Sequence, residues 1–488
     1  MTNKRPHSGS ILIQVIIVGA IGITMLGGLI GWAGTNVRAA RNALSREREI
    51  QLAEAGIEYY RWHLAHAPTD YQDGTGQPGP YIHYKRDKDG NPVGTFTLAI
   101  TPPSTGSTRV RIESTGRVAT TSPGRTIRVE MAIPSLARFA VVANDSMRFG
   151  QGTEVFGPIH SNGGIRFDGI AYNTVTSAVA SYDDPDHTGG NEFGVHTHVN
   201  APPSSGVTDT FRPLEAPPNS VPTRQDVFVA GRQFPVPAAD FVGITNDLSQ
   251  IRTAAQSSGR YFAPSGSQGY QIVLRTNDTF DLYRVTGQTA APSNCTNINN
   301  QTGWGTWSIS NRILLANHPI PANGLIFVED NVWVEGQIQS ARVTIASGRF
   351  PDNPTTRSNI IVNNDLRYSS YDGTDVIGLI AQGNITTGLV SDTDLRIDAA
   401  LIAQNGRVGR FYYQPPGGSQ TRCSPNHART QLTLYGMIGT NQRYGYAYTD
   451  GSGYLNRAII YDANLLYGPP PSFPLTSDQY EILSWEEI

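Results

Sequence analysis

Seven side chains able to bind a metal or move a proton fall within one short stretch: Asp183, Asp184, Asp186, His187, Glu192, His196 and His198. His196 and His198 stand two apart. On a strand they share a face and can deliver two imidazole nitrogens to one Zn²⁺. His187 and Asp186 complete the candidate ligand set, and His160 can join only if the chain folds back onto it. Spacing fixes no third ligand, and the same composition also describes a solvated loop rich in Asp and His.

A second group of acids, Glu329, Asp330, Asp365, Asp394 and Asp398, is of the type that cleaves polysaccharides when two carboxyls face one glycosidic bond. Nothing in the sequence sets their separation, and acids at the corners of a β body are equally read as solvated. There is no GxSxG, P-loop, HExxH, or GxGxxG at a strand-to-helix turn, so no cofactor is expected and the chain reads as non-enzymatic. Cys295 and Cys423 are the only cysteines, 128 positions apart, with no CxxC. One long-range disulfide can form between them if the chain is exported.

The elements that must carry these residues follow from composition. Of 488 residues, 38% are hydrophobic, only 16% are charged, and Gly and Pro number 51 and 32, which favours short strands and turns over long solvated helices. A net charge of −3 leaves no global basic footprint, so no nucleic acid partner is expected. From Pro6 to Val37 no Asp, Glu, Lys or Arg occurs, and Ile11 to Trp32 is long and apolar enough to cross a bilayer. Lys4 and Arg5 precede this run, and Arg38, Arg41, Arg46 and Arg48 follow it, so charge alone does not orient it. No proline intervenes before Pro68, and Ala43, Ile50, Ile57 and Leu64 recur every seven residues, with Ala53 and Tyr60 between them. One long helix with an apolar half and an amphipathic half is predicted, its second half packed on a sheet or paired in a coiled coil.

A polar leader ending in Gly9, followed by Ser10-Ile11-Leu12-Ile13-Gln14 and an unbroken apolar helix, resembles the prepilin leader of type IV pilins. Leu52-Ala53-Glu54-Ala55-Gly56-Ile57 is similar to the Ala-Glu-Ala-Gly stretch of PilX-type N-terminal regions. The resemblance implies cleavage between Gly9 and Ser10 by a prepilin peptidase, and contact with pilin subunits through the helix. Ser10 would be the methylated terminus and Gln14 a subunit-contact position. Most pilins carry Glu where Gln14 stands, a departure that minor pilins share. The implied function is that of a minor pilin in pilus assembly or adhesion. It would be a single-pass inner-membrane protein with its body extracytoplasmic, in a pilus or at the cell surface, facing an unidentified surface or glycan ligand. The same residues also admit a plain signal anchor on a structural envelope protein, or a membrane-tethered enzyme acting on polysaccharide.

The fold class expected is mainly β with one long N-terminal helix: a pilin-like α+β part, then a parallel β-helix body with an inserted subdomain. Alternation at Phe96, Leu98, Ile100, Val110, Ile112, Ile127, Val129, Met131 and Ile133 predicts a small antiparallel sheet. Farther on, a short apolar strand followed by an Asn, Gly or Asp turn recurs, including Ile380-Ala381-Gln382-Gly383 and Ile402-Ala403-Gln404-Asn405, 22 residues apart. Such recurrence suits stacked coils or an irregular sandwich. The implied divisions are 1–9 leader, 10–67 helix, 68–134 sheet, 135–170 first coils, 171–323 insertion with a short helix and a hairpin, 324–460 β-helix, and 461–488 aromatic capping tail. The arrangement resembles large bacterial envelope proteins that join a PilX-like N-terminus to a β-helical body.

Overall fold

Helix α1 spans Gly9–His66, and its 58 residues extend roughly 87 Å at 1.5 Å per residue. The computed structural model describes residues 9–118 and 123–488, excluding the side chains of residues 9, 10 and 242–247. The expected leader, 1–9, therefore lies outside the described residues except for the Gly9 backbone. The large apolar side chains from Ile11 to Trp32 are all exposed, and this part of α1 is long and apolar enough to cross a membrane. The second half behaves oppositely: Leu52, Ala53, Ile57, Tyr60 and Leu64 are buried.

These residues pack on a sheet belonging to the same unit, residues 1–102, 110–131 and 479–488. Its strands are β1 (Tyr81–Arg86), β2 (Pro92–Thr101), β3 (Val110–Arg117) and β4 (Arg125–Ala132), in that order, with Glu481–Glu487 fifth beside β4. Strands β1 to β4 form an antiparallel meander. Alternation places Phe96, Leu98, Val110, Ile112, Ile127, Val129 and Met131 in one core with the α1 stripe. The stripe is thus covered from Glu49 onward by the chain's own sheet, while Ala43, the first of the heptad positions, is exposed. An intermolecular coiled coil over that half is excluded because its face is already filled. Two glycines set the approach: a Cβ on Gly116 would meet the Glu49 carbonyl oxygen at 2.0 Å, and one on Gly56 the Ser114 hydroxyl at 2.2 Å.

The second unit, residues 103–109 and 132–478, is built from rows of parallel strands. In the first row Tyr261, Phe327, Ala346, Ile380, Ile402, Gly439, Val142, His160, Thr176 and Gln233 are successive ladder partners. A second row passes through Tyr270, Val332, Ile360, Ile385 and Val408. A third runs through Leu274, Gly336, Leu366, Ile397, Leu434, Ile459, Val155 and Ala171. Aliphatics from all three rows meet in one core. Helix α2 (Val242–Ser258) lays Leu248, Ile251 and Ala255 on the other face of the first row, against Leu325, Phe327, Ala346 and Ile380. Burial on both faces explains why Val376–Ala381 is uniformly apolar instead of alternating.

Three sequence expectations need correction. Strands Val141–Ala143 and Ile159–Ser161 do not begin the rows ahead of residue 324; they continue them beyond Ala428–Thr440. The hairpin expected within 171–323 is formed by Gly269–Leu274 and Thr279–Gln288 and turns at Asn277-Asp278. It is not an insertion packed alongside, because Gly269–Leu274 pairs in parallel with Val332–Ile338. The tail does not act as a cap throughout, since Glu481–Glu487 joins the first unit's sheet. In each case an open strand edge is satisfied by a segment distant in sequence.

Candidate metal centre

The Asp/His stretch folds by pairing very short strands. Ser181–Tyr182 lies antiparallel to Glu192–Phe193, and Val195–His196 lies parallel to Ile165–Phe167. Gly194 lets the two strands meet: its amide donates to the Ala180 carbonyl at 2.9 Å, and a Cβ there would stand 1.9 Å from the Val179 carbonyl oxygen. The turn before Glu192 is tied by Asp184 Oδ1, which accepts from the Asp186 amide at 3.0 Å.

One ligand atom from each of Asp184, Glu192, His196 and His198 lies within 4.8 Å of the others, and all four residues are buried. His196 Nε2 is 3.1 Å and His198 Nε2 3.2 Å from Glu192 Oε2, while Asp184 Oδ2 is 3.6 Å from His196 Nε2. His187 Nε2 reaches Glu192 Oε2 at 3.0 Å from a nearly buried side chain. The far nitrogens are fixed by the backbone: His196 Nδ1 donates to the Phe193 carbonyl at 3.2 Å and His198 Nδ1 to the Thr208 carbonyl at 2.9 Å. A carbonyl only accepts, so each Nδ1 carries a proton and each Nε2 presents its ligating position to the centre. Glu192 Oε1 accepts from the Arg212 amide at 2.7 Å.

Behind this group lies an ion network. Arg166, fully buried, donates to Asp168 at 2.7 Å and to Asp209, and its Nη1 is 3.6 Å from Asp184 Oδ2. Asp168 Oδ1 accepts from the His198 amide at 2.8 Å. Burial pushes the Asp184 carboxyl up, but the nearby His196 imidazole and the Asp186 amide outweigh it and hold the group below the usual carboxylate range. Burial acts on Glu192 in the same way and is overcome by His198 and His196.

Of the residues picked by spacing, His196 and His198 converge, and His187 also turns a nearly buried side chain inward, with Nε2 3.0 Å from Glu192 Oε2 and 3.6 Å from Asp184 Oδ2. Asp186 does not contribute: it turns outward to Arg148 at 3.2 Å and to Arg443. With its amide captured by Asp184, its side chain points away from the centre. Asp184 and Glu192 supply the oxygens instead; both belong to the acidic stretch, but nothing in their spacing singles them out. Asp183 is exposed. His160 remains apart, at 3.0 Å from Thr176 Oγ1 and 3.2 Å from Asn162 Oδ1.

The other candidate residues are elsewhere. Asp398 takes hydrogen bonds from Tyr371 at 2.7 Å and Arg396 at 2.8 Å, and Asp365 from Arg367 at 2.9 Å. Glu329 accepts from Tyr261 at 2.6 Å, Asp330 pairs with Arg349, and Asp394 is exposed on its strand. Cys295 and Cys423 are bonded to each other, with Cα atoms 4.8 Å apart, inside a cluster of Leu389, Phe411 and Tyr413. Gly9 and Ser10 open α1, and Gln14 lies exposed on it.

No protein-family model matches the chain, and no curated protein matches it. Among solved structures the chain is similar to the competence-associated pilin ComZ from Thermus thermophilus. The match covers 91% of this chain and 98% of that one at 11% identity. Its TM-score of 0.29 is too low to carry an argument about fold or function.

Proposed function

We propose that this chain is a non-enzymatic, membrane-anchored surface protein of the minor pilin kind, acting in type IV pilus assembly or adhesion. The observation that carries the reading is the division of α1. Its apolar half, Ile11 to Trp32, is exposed, and its second half is packed on an antiparallel meander. In this reading the apolar half moves between bilayer and filament core without a large change in solvation, because both surroundings are apolar. The three rows of parallel strands are read as faces of a β-helix, a body that offers a long surface outside the inner membrane. Gly9-Ser10 is the bond for a prepilin peptidase, and Gln14 takes the subunit-contact position without the usual charge.

The test is intact-mass and N-terminal analysis of protein recovered from membranes with a prepilin peptidase present and absent. A peptidase-dependent start at Ser10 supports the pilin pathway. A terminus at Met1 or Thr2 under both conditions overturns it and leaves a signal-anchored envelope protein.

A further inference from the structure

We propose that Asp184, Glu192, His196 and His198 bind one divalent transition metal ion of zinc's borderline character, and that this ion ties the turn and the two short strands of 184–198 to one another. The inference concerns the body alone and stands whether or not α1 enters a filament.

The first support is an unmet valence. Asp184 Oδ2 and His196 Nε2 are buried and have no hydrogen-bond partner. Such groups are costly in a folded interior unless something absent from the polypeptide satisfies them. Both face the same point as His198 Nε2 and Glu192 Oε2. The second support is spacing. In a tetrahedral site with bonds of roughly 2.0–2.1 Å, ligand atoms stand roughly 3.3 Å apart. Three of the six separations here are 3.1, 3.2 and 3.6 Å, and all six lie within 4.8 Å. The third is the orientation of both imidazoles by backbone carbonyls at Nδ1, an arrangement that fixes tautomer and ring direction in metal sites.

An ion and a proton network carry the same total charge and differ in where the positive charge sits. If the cluster is held by protons alone, each Nε2 facing a carboxylate needs a proton on the imidazole or on the carboxyl, and protonating both imidazoles places their charges side by side in a buried space. One divalent cation with two neutral imidazoles and two carboxylates leaves the first coordination set neutral. Two nitrogens among four donors disfavour Ca²⁺ and Mg²⁺, which take oxygen ligands. Complete burial of the four residues leaves no open position for substrate, so the role is structural. The need is evident locally, because the strands of this stretch are only two residues long. His187 is a positioning residue that holds Glu192.

The experiment uses the full chain in detergent, without a polyhistidine tag, stripped with chelator and titrated with Co²⁺ and Zn²⁺. The expected result is one ion per chain, with the intense visible ligand-field bands of tetrahedral cobalt, displaced by Zn²⁺ and not by Ca²⁺ or Mg²⁺. Zn²⁺ should raise the thermal transition and slow proteolysis within 184–198. His196→Ala with His198→Ala should abolish binding, whereas Asp186→Asn should retain one ion. His198→Cys keeps a ligand at the same place, and should bind cobalt with an added sulfur charge-transfer band, a change that mere misfolding cannot produce. Substoichiometric binding by wild type, or a cobalt spectrum unchanged by His198→Cys, overturns the proposal.

Discussion

His196 Nε2 and Asp184 Oδ2 face each other at 3.6 Å in a fully enclosed space, and neither is hydrogen-bonded. What holds them there is the Gly194 crossing, where no methyl group fits against Val179. Gly194→Ala should therefore separate the strands at 179–182 and 192–196. The expected cost is about 1–3 kcal/mol, as for other overpacked sites, together with weakened Co²⁺ binding. Denaturant unfolding and cobalt titration of the variant check both effects.

The helix-sheet contact of the first unit divides its glycines into two classes. Gly116→Ala and Gly56→Ala drive a methyl into the Glu49 carbonyl and Ser114, respectively, and should each destabilise the unit by about 1–3 kcal/mol. Gly19→Ala and Gly27→Ala meet nothing within 4 Å and should leave its unfolding unchanged. Limited proteolysis at the α1–β1 loop distinguishes the two classes.

Arg410 is fully buried with no carboxylate partner among the described residues. It donates to the carbonyls of His427 at 2.8 Å, Leu389 at 3.0 Å and Asn426 at 2.6 Å, and its guanidinium lies 4.8 Å from the Tyr413 ring centre. Burial brings its pKa down to about 10, so it stays charged at neutral pH. A lysine cannot span these acceptors with one ammonium. Arg410→Lys should cost about 3 kcal/mol, read as a lowered denaturation midpoint.

His160 supplies a pH dependence with a definite sign. Burial pulls its pKa below the ordinary value of 6.5; the Asn162 hydrogen bond opposes this and the Arg138 charge adds to it. The unfolded chain therefore takes up the proton first as pH falls below about 6.5. The stabilisation from neutral His160 is present above that pH and is lost on acidification through the unfolded pKa. The drop in stability between pH 7.5 and pH 5.5 should be smaller in His160→Gln than in wild type, each measured by denaturant titration. An equal drop in both proteins contradicts the assignment.

The Cys295–Cys423 bridge closes a loop of 128 positions. Loop closure of this length predicts that Cys295→Ser with Cys423→Ser lowers stability by about 2–5 kcal/mol. Reductant should reproduce the loss in wild type and have no effect on the variant.

Helix α1 was legible in the sequence because its signals are local: a charge-free apolar run, a regular apolar stripe and no proline before residue 68. The same holds for α2, for the hairpin at Asn277-Asp278 and for the β1–β4 alternation, where each side chain's face follows from its neighbours' spacing. Of the metal cluster, His196 and His198 were legible from their two-residue step, although the strand Val195–His196 ends before His198. Asp184 and Glu192 were not distinguishable from Asp186. A turn captured by the Asp186 amide and a pairing of Tyr182 with Glu192 decide which acids turn inward, and neither leaves a pattern in spacing. The order of the rows was likewise decided only by the tertiary structure. Val141–Ala143 pairs with Ile438–Thr440 and Glu481–Glu487 lies beside β4 because backbone edges are chemically alike. Which distant edge a strand meets depends on the whole packed chain, while an element's own periodicity depends only on the next few residues.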